Sequence, residues 1–348
     1  MKEEQKPSEC RKLPKVWECD AFPDNKIGWK IRNDIKGGWM GYSFHPLFSW
    51  RAKPNVRLDT LQTNEYGLRS KSFKELKPRK CLLLGGSFAW GYGASSNESI
   101  PSYIIENYLS RKYHDEISVI NMADQLYCSI QQIQSFIFSM NDLNPEMVIC
   151  ITGYNDIAQA RAGFYQDNIR YDEYSSFFNW AGETGLMFDG GFFKKLVRFM
   201  KRGYRKWTNP FKDNFSFSNP PRDEVPLLLN KLKMDVLSGV ALRKNIKVVY
   251  VLEPALFYKK NLSQYEASYL KTDEERCAYF RKYYDLFREK IWKDGGGFGG
   301  DNIHFIDTTS YLDGCSETLF IDWIHLTDKG FKIWSEKLAE EIHTISIA

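Results

Sequence analysis

The sequence predicts a doubly wound α/β fold, a parallel sheet with helices on both faces, and two observations predict it. Five short apolar runs are spaced along the chain, and segments with helical apolar spacing lie between them. The runs are Lys80 to Leu84, Ile117 to Asn121, Met147 to Thr152, Ile246 to Leu252 and Ile303 to Asp307. They read as buried parallel strands, covered on both sides.

The helical segments are Ser99 to Arg111, Ser129 to Met140, Val225 to Arg243 and Thr272 to Trp292, with Asp328 to His343 closing the domain. Strand, helix, strand in sequence implies right-handed crossovers and a parallel sheet. Two regions stand outside the alternation. Residues 1–78 are rich in Trp, Pro, Gly and Asn and read as an N-terminal extension with a few short strands in the stretch Trp39 to Arg69. Residues 161–222 form a long insertion, dense in Phe, Tyr and Trp, between the third and fourth strands. Insertions of this kind sit where ligands bind, because loops vary there while the sheet stays rigid.

Composition narrows the function classes. With 348 residues, 43% hydrophobic and 26% charged, the chain can bury a sizeable core. A net charge of +4 spread over many residues argues against nucleic-acid binding. The seven cysteines lack the spacing of a zinc site or a disulfide framework, which points to a reducing compartment. Met1 to Pro14 lacks the apolar stretch of a secretory signal, and no run approaches the roughly 18 apolar residues of a membrane span, so a cytoplasmic location is expected.

Four stretches at strand ends carry chemistry. Gly85, Gly86 and Ser87 follow the first run, a glycine-rich turn able to present a hydroxyl beside backbone N–H groups. Asn121 to Gln125 closes the second run and offers the N–H of Ala123. Gly153, Tyr154, Asn155 and Asp156 follow the third, where the Asn155 amide is a donor suited to an oxyanion and Asp156 a candidate helix cap. Asp322 stands three residues before His325, close enough to hold the imidazole in one tautomer. The other histidines, His45, His114, His304 and His343, lack metal-ligand spacing.

Together and in this order, the blocks GGSFAWG, NMADQ, GYND and DWIH resemble the four signature blocks of the SGNH (GDSL-like) hydrolase superfamily. The resemblance covers residues 79 to 345 and implies a three-layer α/β/α, flavodoxin-like fold with a five-stranded parallel sheet. It implies Ser87 as nucleophile, His325 as base and Asp322 as its orienter. Ser87, Ala123 and Asn155 would supply the oxyanion hole, and no cofactor or metal is implied. Two positions depart from the family pattern: Gly86 replaces an aspartate and Ala123 a glycine.

The activity so implied is ester hydrolysis through an acyl-enzyme. Residues 1–78, with Asn64, Glu65, Tyr66, Gly67, Leu68 and Arg69, look similar to leader segments of bacterial proteins tied to surface polysaccharide, which suggests an acetyl or other short acyl group on a carbohydrate. An acyltransferase using the same residues and a non-catalytic glycan- or lipid-binding module are the alternatives. Within the lid-like insertion, Phe192 to Trp207 reads as a basic amphipathic helix that would make peripheral contact with an anionic membrane or an acidic carrier, unless it simply packs on the core.

Overall fold

The structure, a computed structural model, describes residues 27–31, 33–34, 42–45, 47–113, 116–161, 224–293 and 301–347. An antiparallel hairpin, β1 (Tyr42–His45) and β2 (Ser49–Ala52), precedes the main sheet. The sheet strands are β3 (Arg79–Leu84), β4 (Ile117–Asn121), β5 (Met147–Thr152), β6 (Lys247–Leu252) and β7 (Ile303–Asp307). All five pair in parallel in the order β4-β3-β5-β6-β7. The doubly wound expectation is met, and the strand order is the flavodoxin-like one. Residues 81–84, 117–121 and 147–152 are buried throughout, as in strands covered on both faces.

The helices are α1 (Ser87–Trp90), α2 (Pro101–Lys112), α3 (Ser129–Leu143), α4 (Tyr154–Arg161), α5 (Val225–Lys244), α6 (Gln264–Leu270), α7 (Glu274–Phe287) and α8 (Asp328–Ile347). The chain reverses direction across the sheet at β3, so right-handed crossovers place α2 and α3 on opposite faces. Consistent with this, α2 packs on α8 and α3 on α5. In such sheets the point where the order reverses, at the carboxyl end of the strand, is the usual place for a ligand. Ser87 stands at that point.

Boundaries shift by a few residues. The helix expected from Ser99 starts at Pro101, whose missing N–H costs nothing in the first turn. The segment from Thr272 is α7, followed by one π-helical turn at Arg288–Trp292. The short helix α6 was not expected; it opens with a capping box in which Ser263 Oγ accepts the Glu266 N–H at 3.2 Å. Residues 162–223 lie outside the described residues, and with them most of the expected insertion and all of Phe192 to Trp207. Among the described residues, no helix is long and apolar enough to cross a membrane.

Candidate active site

Ser87 is the first residue of α1, directly after the Gly85–Gly86 turn that ends β3. Its N–H precedes any intrahelical acceptor, so it is available at the helix start. The short helix is fixed from below: Phe88 packs edge-on against Trp334 of α8, with ring centroids 4.8 Å apart. It ends at Gly91, which takes a left-handed φ of +90°. A side chain there would also strike Ile100.

His325 Nε2 lies 2.7 Å from Ser87 Oγ, across 238 residues of sequence. Its Nδ1 lies 2.6 Å from Asp322 Oδ2. With the proton on Nδ1, the ring donates to the carboxylate and leaves Nε2 to accept the serine hydroxyl. Asp322 Oδ1 accepts the N–H groups of Ile324 at 3.0 Å and His325 at 2.8 Å. Burial alone would raise this carboxyl; the adjacent His325 and the two N–H groups outweigh it and hold the group below its ordinary value. It is therefore an anion at neutral pH.

The loop that carries this pair is pinned at its base. Phe320 and Leu326 form an isolated bridge, and Ile321 N–H donates to His325 O at 2.9 Å. Below it, the Glu266 carboxylate of α6 accepts the N–H groups of Leu319 at 2.9 Å and Phe320 at 3.0 Å, and pairs with Lys259 at 2.5 Å. Both charged side chains are almost fully buried, so neither can be lost alone without stranding the other.

Asn155 sits in the first turn of α4, after β5. Its Nδ2 donates to Tyr127 O at 2.9 Å, which fixes the amide plane and leaves a second hydrogen for the site. The amide presses on the nucleophile turn: a Cβ built on Gly86 would lie 2.0 Å from Asn155 Nδ2. The glycine before the serine is therefore the space Asn155 occupies. Asp156 does not cap its own helix; it accepts Ser129 N–H at 3.1 Å and Ser129 Oγ–H at 2.8 Å, tying α4 to the start of α3.

Of the three expected oxyanion donors, the structure brings Ser87 N–H and the Asn155 amide to the same turn. The Ala123 N–H donates to Asn121 Oδ1 at 3.1 Å, and Asn121 Nδ2 in turn donates to Ala89 O of α1 at 3.2 Å. Asn121 thus couples the end of β4 to the nucleophile helix, a role the sequence reading did not give it.

Tyr92 was also missed. Its ring lies 4.2 Å from that of His325, tilted by 33°, and covers one face of the imidazole. Burial, and secondarily the Asp322 charge, push its phenol up to about 12, so it stays neutral beside the ring.

The N-terminal extension reaches the site from two sides. Trp50 Nε1–H donates to Gln125 O at 2.9 Å, Tyr127 O–H donates to Trp50 O at 2.9 Å, and Ala52 N–H donates to Asp124 Oδ2 at 3.3 Å. Buried Arg69 donates to Gly91 O at 2.7 Å and Thr60 O at 2.7 Å, with its guanidinium over Trp90. Asn64 Oδ1 accepts the N–H groups of Tyr66 at 2.9 Å and Leu68 at 3.0 Å, shaping the turn that delivers Arg69.

Among the described residues no group of His, Cys, Asp and Glu is arranged to hold a metal ion. His45 accepts the Leu47 N–H, and the His343 ring packs edge-on against Tyr113. His304 is in β7, and His114 lies outside the described residues.

No established family description matches the chain, and no curated protein does. Solved structures similar to it include the lipase Lip_vut3 from a goat rumen metagenome, at 15% identity and a TM-score of 0.43 over 75% of this chain and 96% of that one. An acetyl-xylooligosaccharide esterase from Geobacillus, in a mutant form, is similar at 13% identity and a TM-score of 0.42, over 78% and 96%. A GDSL-like lipase of Bacteroides thetaiotaomicron is similar at 10% identity and a TM-score of 0.35, over 76% and 88%.

Proposed function

We propose that the chain is a serine ester hydrolase in which Ser87, activated by His325 and Asp322, forms an acyl-enzyme. One observation carries the reading: the unbroken hydrogen-bond line from Ser87 Oγ through the imidazole to the Asp322 carboxylate, at 2.7 and 2.6 Å. Such a line has a chemical use, since it lets a serine hydroxyl lose its proton as it attacks.

In the first half-reaction Ser87 Oγ bonds to the ester carbonyl carbon while its proton passes to His325 Nε2. The negative carbonyl oxygen faces the Ser87 N–H and the free hydrogen of the Asn155 amide, donors already oriented before substrate arrives. Collapse expels the alcohol, which takes the proton from His325. Water then repeats the sequence on the acyl-enzyme, with His325 again as base, and returns free Ser87 and a carboxylic acid.

The acyl group proposed is acetyl or another short chain, and the alcohol a carbohydrate. This rests on the resemblance of the N-terminal extension to leader segments in proteins of surface polysaccharide. The test is labelling by a fluorophosphonate probe with mass-spectrometric mapping, together with acetate release from acetylated oligosaccharides. Labelling at Ser87 and acetate release, both lost in Ser87→Ala, are expected. Esterase activity unchanged in Ser87→Ala would overturn the assignment.

A further inference from the structure

Glu253 immediately follows β6, on the strand beside β5, and is 6% exposed. Its Oε1 accepts the Tyr154 N–H at 2.5 Å, one residue before Asn155. Its own N–H donates to Thr152 O at 3.0 Å. The side chain thereby ties the end of β6 to the turn that presents the Asn155 amide. Among the described residues this is the one hydrogen bond its carboxyl makes, which is sparse for a buried acid.

The charged and titratable groups around it come from four elements. Lys233 of α5 is fully buried, with its Nζ 2.6 Å from Thr152 Oγ1. Asp156 belongs to α4 and the buried Tyr284 phenol to α7, and His325 stands near enough for its charge to act on the carboxyl. Burial dominates and lifts the group; the Tyr154 N–H, His325 and Lys233 pull it back and Asp156 opposes them, leaving it at about 7.

On the serine-hydrolase reading above, we propose that Glu253 is a positioning residue for this site. Through the Tyr154 N–H it fixes the turn that carries Asn155, and its negative charge favours the imidazolium formed when the Ser87 proton moves to His325 Nε2. A negative charge that reaches the imidazole favours its protonated form over its neutral one. Its removal must move the acid limb of activity downward and also slow the plateau. The two groups titrate together, so the limb belongs to the pair.

The experiment follows the rate of fluorophosphonate labelling at Ser87 against pH in the wild-type chain, Glu253→Gln and Glu253→Ala, with thermal melts of each. Glutamine keeps an acceptor for Tyr154 N–H but no charge: its acid limb should fall by about 0.3 to 1 pH unit and its plateau by about 3- to 10-fold. Alanine leaves that N–H unpaired and should lose roughly tenfold more. If the alanine variant does not fold, the glutamine profile decides alone. A labelled wild type with a superimposable Glu253→Gln profile overturns the role of Glu253 and leaves the hydrolase reading standing. Absence of labelling at Ser87 in the wild type overturns both.

Discussion

Gly86→Ala puts a methyl group into the space held by the Asn155 amide. The added carbon would lie 2.0 Å from Asn155 Nδ2, 3.1 Å from Asn155 Cγ and 3.0 Å from Tyr127 O. Something has to give, and the choice is constrained. The turn is held by β3 on one side and on the other by α1, whose Phe88 is locked against Trp334. Tyr127 O is backbone, tethered through its own residue to Trp50. The Asn155 amide is the free end of a short side chain, so it should swing away and abandon its 2.9 Å bond to Tyr127 O.

The fold loses little by this: about 1 kcal/mol for one hydrogen bond, a fall of about 2 °C in a thermal melt. The proposed chemistry loses an oxyanion donor, worth about 100- to 1000-fold in kcat. Hydrolysis of 4-nitrophenyl acetate should show that loss with KM nearly unchanged, because the donor acts on charge that develops only in the transition state. The double variant Gly86→Ala/Asn155→Ala should be no slower than Asn155→Ala alone by more than about threefold, since both changes remove the same donor. A Gly86→Ala enzyme with kcat within about threefold of the wild type would refute the reasoning.

Three further outcomes follow from the same contacts. Asp322→Asn should lower kcat about 10⁴-fold by leaving the imidazole in the wrong tautomer. Because the carboxyl is held below its ordinary value of 3.8, its stabilising charge is present above that value and lost as pH falls through the depressed one. The melting-temperature deficit of Asp322→Asn should therefore be largest at neutral pH and shrink on acidification; a deficit independent of pH would count against a carboxylate stabilised by the fold. Lys259→Met should destabilise the chain by about 3–5 kcal/mol in urea titrations by stranding buried Glu266, and Lys259→Met/Glu266→Leu should recover part of it. Arg69→Lys cannot span Gly91 O and Thr60 O with one ammonium and should cost about 2 kcal/mol, so an unaltered melt would show the clamp to be dispensable.

What the sequence made legible was whatever is local. Runs such as Val148 to Ile151 announce buried strands because every side chain faces a helical layer. Ser87, Asn155, Asp322 and His325 stood out because each lies in a short block at a strand end or helix start. The missing pieces depend on distance in the chain or on lengths too short for a period. The four residues of α1 and the seven of α6 do not complete two turns, so no apolar stripe can appear in them. Glu253 meets Tyr154 across 99 residues, and nothing beside Glu253 in sequence distinguishes it from an ordinary exposed acid. Tyr92 reads as one more aromatic of a glycine-rich turn until the loop of His325 is folded over it.

The same distinction bears on where the working unit begins. A boundary near residue 78 follows from composition, because the extension lacks the strand and helix periods of what comes after. Hydrogen bonding follows another line. Trp50 and Ala52 hold the loop from Asp124 to Tyr127, whose last carbonyl orients the Asn155 amide. Arg69 holds Gly91, the residue that ends the helix opened by Ser87. A parallel sheet fixes strand ends well and the loops beyond them poorly, and oxyanion stabilisation fails when its donors drift by a fraction of an ångström. On the proposed chemistry residues 50–69 contribute no reacting atom, yet they hold the loop that orients the Asn155 amide and the residue that ends the helix of Ser87.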